Sequence, residues 1–205
     1  MENSFPAMRR SGRPLSFDRE AALAAAMRVF WQHGYEASSV AVLTAAMGIT
    51  PPSLYAAFGD KQRLFLAAVD RYLGGSDRVT ATIAGAANAQ DAARDLLTAA
   101  AIGGTGADTP AGCLLASSIV TGSTAAAGIR EALAAIRRRI ETALRLRIEG
   151  DIDAGLLPAG SDAEMLAGHV FAVVQGMSTL AKDGAGRDKL LRVAAGAMAG
   201  WPGPR

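Results

Sequence analysis

The sequence predicts an all-α protein, and three observations carry that prediction. Alanine and leucine dominate a chain that is 50% hydrophobic by count and only 5% aromatic. β-Branched residues are sparse and do not alternate with polar ones, so no half-buried strand pattern develops. Ile129, Leu133, Ile136, Ile140, Leu144 and Ile148 recur at spacings of three or four, the apolar stripe of an amphipathic helix. The 205 residues suffice for one domain of ordinary size, or for a small head on a larger body.

About nine helices follow in order. Residues 1–15, punctuated by Pro6, Gly12 and Pro14, read as a flexible basic arm with Arg9, Arg10 and Arg13, and residues 5–17 hold no acid. Ser16 or Asp18 can cap the first helix, whose apolar face is Ala22, Leu23, Ala26, Met27 and Phe30; Gly34 suits the left-handed position after it. A second, short helix starts after Ser38 or Ser39 and runs through Leu43 and Met47 to Gly48. In the segment TPP, Thr50 caps a third helix, and Pro51 and Pro52 fall in its first turn, where the missing N–H has no partner to lose.

Asp60 caps a fourth helix from Lys61. It either continues through Gly74-Gly75 to about Ile83 or is kinked or ended by those glycines, which cost roughly 1 kcal/mol each inside a helix. Helices are expected over 91–102, over 113–120, along the 129–148 stripe, over 162–182 and over 187–199. Residues 103–112 and 150–161 are the turn-rich connections. The chain is thereby expected to divide into the arm, a head at 16–62 and a body at 63–200.

Several chemistries find no support. The single cysteine rules out an intrachain disulfide framework, and two histidines far apart make no metal cluster. Asp151 and Asp153 resemble the start of a calcium loop, but Gly155 stands where a third ligand belongs. The stretch GGTG lacks the lysine and hydroxyl of a phosphate loop. No nucleophile–base pair is readable, so neither catalytic residues nor a cofactor is expected. The start lacks the apolar core of a secretory signal and no run approaches a bilayer's thickness, so a cytoplasmic protein without membrane contact is expected. The net charge of +2 says little about partners. Arg137-Arg138-Arg139, with Glu131 and Glu141 nearby, reads as a solvated helix face.

Two short helices joined by a tight glycine turn, after a longer helix, are the parts of a helix-turn-helix. The stretch DREAALAAAMRVFWQHGYEASSVAVLTAAMGITPPSLYAAFGDKQRLF (18–65) resembles the DNA-binding head of TetR-family transcriptional regulators. It carries in order Phe30, Gly34-Tyr35, Ser38-Ser39, Gly48, Leu54-Tyr55, Phe58 and Lys61. The following 140 residues or so match only in helix count and lengths.

The resemblance implies a double-stranded DNA operator as partner. Thr50, Ser53, Pro51 and Pro52 would stand at the mouth of the recognition helix. Tyr55, Lys61 and Ser38 or Ser39 would reach phosphates, and the Arg9, Arg10 and Arg13 arm a neighbouring minor groove. PPSLYAAF holds no Arg, Lys, Asn or Gln, the usual bidentate base readers, so reading would lean on hydroxyls, thymine methyls or shape.

The resemblance also implies a homodimer through the last two helices. Leu166, Val170, Val173, Val174, Met177 and Leu180 form one stripe there, and Leu190, Leu191, Val193, Ala194, Ala197 and Met198 another; either partner or own chain can cover them. It further implies an effector pocket among the middle helices, with Leu97, Ile102, Cys113, Leu114, Ser117, Ile119, Val120, His169, Phe171 and Gln175 as candidates. Few aromatics and little fixed charge there suit a small, mostly apolar compound. Cys113, in PAGCLL, is read either as a sensor of electrophiles or oxidants or as a small packing residue. The function implied is a repressor that leaves its operator when the effector binds.

Overall fold

The computed structural model describes residues 17–117 and 127–203, in which ten helical segments and no strand occur. Those helices are α1 (Arg19–Ala37), α2 (Val40–Met47), α3 (Pro51–Phe58), α4 (Lys61–Leu73), α5 (Arg78–Gly85), α6 (Ala89–Gly103), α7 (Leu114–Ser117), α8 (Ala127–Asp153), α9 (Ala163–Lys182) and α10 (Arg187–Met198).

Local chemistry places most ends. Asp18 caps α1, its carboxylate accepting from the N–H groups of Glu20 (2.9 Å) and Ala21 (3.1 Å). α1 is broken at Gly34, whose φ of 76° leaves the helical region. Asn88 and Asp162 cap α6 and α9 in the same way as Asp18. Of the courses open to the chain past residue 73, the glycines end the helix. Gly74 turns left-handed (φ 76°), its N–H closes on Asp70 and Arg71, and α5 restarts at Arg78. The helix over the 129–148 stripe runs on to Asp153, further than the expected turn, and the chain turns at Gly155 instead.

α1 packs against α2 and α4 to form the head; α6, α8, α9 and α10 form the body, with α5 laid on α8. The head core is aromatic. Phe30 meets Phe65 edge-on at 5.0 Å, Tyr35 meets Phe65 at 5.2 Å, and Leu43, Leu54 and Leu64 close around them without exposed surface. The body core is built from the stripe residues Ile129, Leu133, Leu144 and Ile148 with Leu97, Ala101, Val170 and Leu190. One buried polar device ties it together. Asp151, 3% exposed, accepts from the Ala89 N–H at 2.6 Å and pairs with Arg147 at 3.1 Å, fastening the start of α6 to the end of α8.

The arginine run is a tie as well as a surface. Arg137 donates to the Leu115 carbonyl at 3.1 Å, and Arg139 pairs with Asp77 at 3.2 Å and donates to the Ser76 carbonyl, gripping the turn between α4 and α5. No single described helix is long and apolar enough to cross a membrane.

Candidate nucleic-acid interface

α2 and α3 meet at 88°, and the corner between them is built from four residues. Gly48 (φ 65°) gives its N–H to Ala45 and the following Ile49 gives its own to Thr44, the paired closure that ends a helix at a left-handed glycine. Thr50 then starts α3, its Oγ1 accepting the Ser53 N–H at 3.4 Å and lying 3.0 Å from the Ser53 hydroxyl. Leu54 and Phe58 are the inward face of α3, at 0% and 6% exposure. That leaves Thr50, Pro51, Pro52, Tyr55 and Ala56 exposed and Ser53 half-buried. The corner therefore produces a short rod, anchored on one side and open on the other; Pro51 and Pro52 carry no N–H and the Ser53 N–H is taken by Thr50, so its start offers hydroxyls and no free amides.

The surrounding residues divide. Ser39 is exposed and caps α2, accepting the Val42 N–H at 3.2 Å. Ser38, expected as its equal, is fully buried and donates its hydroxyl to the Gly34 carbonyl at 2.6 Å; it stitches the α1–α2 bend and presents nothing to a phosphate. Tyr55 is 51% exposed. Lys61 is half-buried, its ammonium 4.4 Å above the Tyr35 ring and 3.5 Å from the Glu36 carbonyl. Burial lowers the Lys61 pKa, against which the Glu36 charge works. Val42, 46% exposed beside the Ser39 cap, had no part in the sequence reading, because an aliphatic residue in a short apolar helix reads as core. Arg9, Arg10 and Arg13 lie outside the described residues.

The residues expected to line an effector pocket differ in setting. Leu97 and Leu114 are core at 0% and 1% exposure, whereas Ile102 and His169 face outward. Phe171, Gln175 and Cys113 are half-buried; Ile119, Val120 and the Ser117 side chain lie outside the described residues. Helical spacing found the elements but not their rotation. Of the residues expected at a dimer face, Leu166, Val170, Met177 and Leu190 are buried in their own chain, and Val173, Val193 and Ala197 keep part of their surface. Among the described residues, no group of three His, Cys, Asp or Glu side chains is placed to hold a metal.

A projecting second helix on a rigid three-helix head, carried by a larger helical body, defines a helix-turn-helix regulator. The comparisons give the family. Residues 22–68 match the family model of bacterial regulatory proteins of the tetR family, and residues 93–196 match that of a tetracyclin repressor-like C-terminal domain. The HTH-type transcriptional repressor ComR of Escherichia coli K12 is 37% identical over 196 residues, 93% of this chain and 92% of its own. BdcR, a second repressor of the same organism, is 51% identical over 63 residues, 31% of this chain and 32% of its own. Among solved structures, a cysteine mutant of the TetR-family regulator CifR complexed with 26 bp double-strand operator DNA superposes with a TM-score of 0.85. It is 41% identical, over 93% of this chain and all of that one. This chain belongs to the TetR family of transcriptional regulators.

Proposed function

We propose that the protein is a homodimeric repressor that holds a near-palindromic operator through α3 and releases it when a small, mostly apolar effector binds the body. The observation that carries this reading is the exposed α3 rod, with Thr50, Tyr55 and Ser39 open on one surface, in a chain that shares 41% identity and its fold with a regulator solved on operator DNA. Tyr55 donates to a phosphate, Lys61 and Ser39 meet the backbone, and Thr50 and Ser53 stand nearest the base edges. With no long polar side chain on α3, selection among sequences leans on methyl contacts and DNA shape. The work is done in the cytoplasm, on the nucleoid.

Two heads of a dimer must present α3 about 34–36 Å apart, one turn of DNA. The outward face of α9 suits a partner. Met165, Ala172 and Gly176 are exposed on it and Val173 half-exposed, a line of apolar and small residues that lets another helix approach closely. The effector acts through α4, which joins head to body. It displaces the operator only if it binds the off-DNA form more tightly, and a hundredfold loss of affinity requires roughly 2.7 kcal/mol of coupling.

A gel shift with the DNA upstream of the protein's own gene tests the reading. Wild type retards it, and Tyr55→Ala and Lys61→Ala lose most of the retardation while keeping their helical circular dichroism. Variants that bind as wild type remove the interface from α3.

Among the described residues, no contact of Cys113 favours the sensor alternative. Its backbone N–H is held by Ser178, its sulfur accepts the Ala116 N–H at 3.4 Å, and it sits in a packed junction between head and body.

A further inference from the structure

Head and body meet along a narrow seam. Between α4 and α8 lies an apolar cleft of about 380 Å³, bounded by Leu66, Leu73, Ala132 and Ile136. Open clefts of about 690 and 790 Å³ flank α1, one toward the 107–111 loop and Lys182, the other toward α4. Trp31 lines both. Its indole is the wall between two openings, only 5% exposed, packed edge-on against Tyr72 at 4.8 Å between centroids.

This wall is also bonded. The Trp31 Nε1–H donates to the Gly112 carbonyl at 3.0 Å, a buried bond across 81 residues. Gly112 is fixed from every other side. Its φ is +82°, its N–H donates to the Gly104 carbonyl at 2.9 Å, and a Cβ there would stand 2.9 Å from the Ser178 carbonyl oxygen. The next N–H, of Cys113, donates to the Ser178 hydroxyl at 2.9 Å. The Tyr72 hydroxyl reaches the Cys113 thiol and the Leu114 backbone. One peptide is thus gripped by α1 of the head, by the loop after α6 and by α9 of the body.

We infer that Trp31 is a positioning residue: its bond to Gly112 fixes the seat of the head on the body, and with it the half-site spacing that the dimer accepts. The inference rests on the reading of the protein as a dimeric DNA-binding regulator. A phenylalanine keeps an aromatic ring against Tyr72 but has no donor for the Gly112 carbonyl. Only the indole N–H adds direction, because a single donor must meet a carbonyl whose peptide is already held by the Gly104 carbonyl on one side and the Ser178 hydroxyl on the other. Each base pair inserted between half-sites moves them about 3.4 Å apart and rotates them around the duplex, so a head free to rock on its seam accepts more than one spacing.

The test is selection from a randomised duplex pool by full-length wild type, Trp31→Phe, Ser178→Ala and, as a control weakened elsewhere, Asp151→Asn. Wild type and the control enrich paired half-sites at one spacing. Trp31→Phe enriches the same half-sites, but its preference for that spacing over one base pair more or less falls about tenfold, the worth of one buried hydrogen bond. Ser178→Ala, which loosens the same peptide from the body side, does likewise and carries the test if Trp31→Phe does not fold. If the folded variants keep the single spacing, or the control broadens as they do, the inference is overturned while DNA binding stands. If wild type enriches no sequence, the DNA-binding reading falls and the inference with it.

Discussion

Lys61 is held by its neighbours before any DNA arrives. The Tyr35 ring beneath it and the Glu36 carbonyl beside it fix the ammonium near the foot of α3, so the phosphate contact proposed for it would cost little side-chain freedom. Two other residues show how burial turns into measurable stability. Asp151 has a backbone N–H and a guanidinium that depend on it. Asp151→Ala leaves Arg147 largely buried without its carboxylate and is expected to cost about 3–5 kcal/mol in urea unfolding, in line with breaking one side of a buried pair. Tyr72 makes its prediction through pH. Burial, with the Cys113 thiol adding to it, holds its hydroxyl protonated well above the usual phenol range. The folded chain keeps this proton where the unfolded chain releases it, so Tyr72 contributes stability that is whole below about pH 10 and is lost as pH rises beyond it. Wild type should therefore lose stability steadily above pH 10, and Tyr72→Phe should lose it with a shallower slope, read from urea midpoints between pH 8 and 11.

At the scale of the element, the corner at 48–53 is a stop and a start with no residue to spare. Thr50→Ala removes the cap of α3 and is expected to cost about 1 kcal/mol by denaturant melts. Because the cap orders the first turn, operator affinity should fall with it. The turn at Gly74-Gly75 makes the opposite kind of prediction. Both glycines have positive φ, 76° and 107°, so they end α4 and do not merely weaken a longer helix. Alanine at both positions strains the turn by roughly 1–2 kcal/mol per residue, and a Cβ at Gly74 also presses on the movable Arg78 side chain. If this turn is where α4 moves under an effector, the double variant changes the effector response more than effector-free DNA affinity, measured by titration of labelled operator; equal changes assign it a structural part only.

The proposed dimer adds what no helix has alone, two heads at a fixed separation. Gly176→Arg places a long charged side chain on the outward face of α9. It should shift the protein from dimer to monomer in sedimentation, cut operator affinity by well over tenfold, and leave the chain folded, since Gly176 is exposed with no neighbour near its Cβ position. A variant that remains dimeric would move the partner to another face.

The sequence by itself determined the elements and the head. Capping residues, prolines and left-handed glycines act within a few residues of themselves, so Asp18, Gly48, Thr50-Pro51-Pro52 and Asp60 could be read directly, and the ordered aromatic and glycine positions of residues 18–65 identified the family. Rotation and reach were decided only by the tertiary structure. Ser38 and Ser39 are adjacent and chemically alike, yet one points into the α1–α2 bend and the other to solvent, because only one can reach the Gly34 carbonyl. Leu166, Val170, Met177 and Leu190 carry the same periodicity whether a partner or their own chain covers them; packing on α6 and α8 chose their own chain. The bond between Trp31 and Gly112 spans 81 residues and leaves no local signature in either, since a donor and a carbonyl so far apart in the chain meet only once the helices between them have packed.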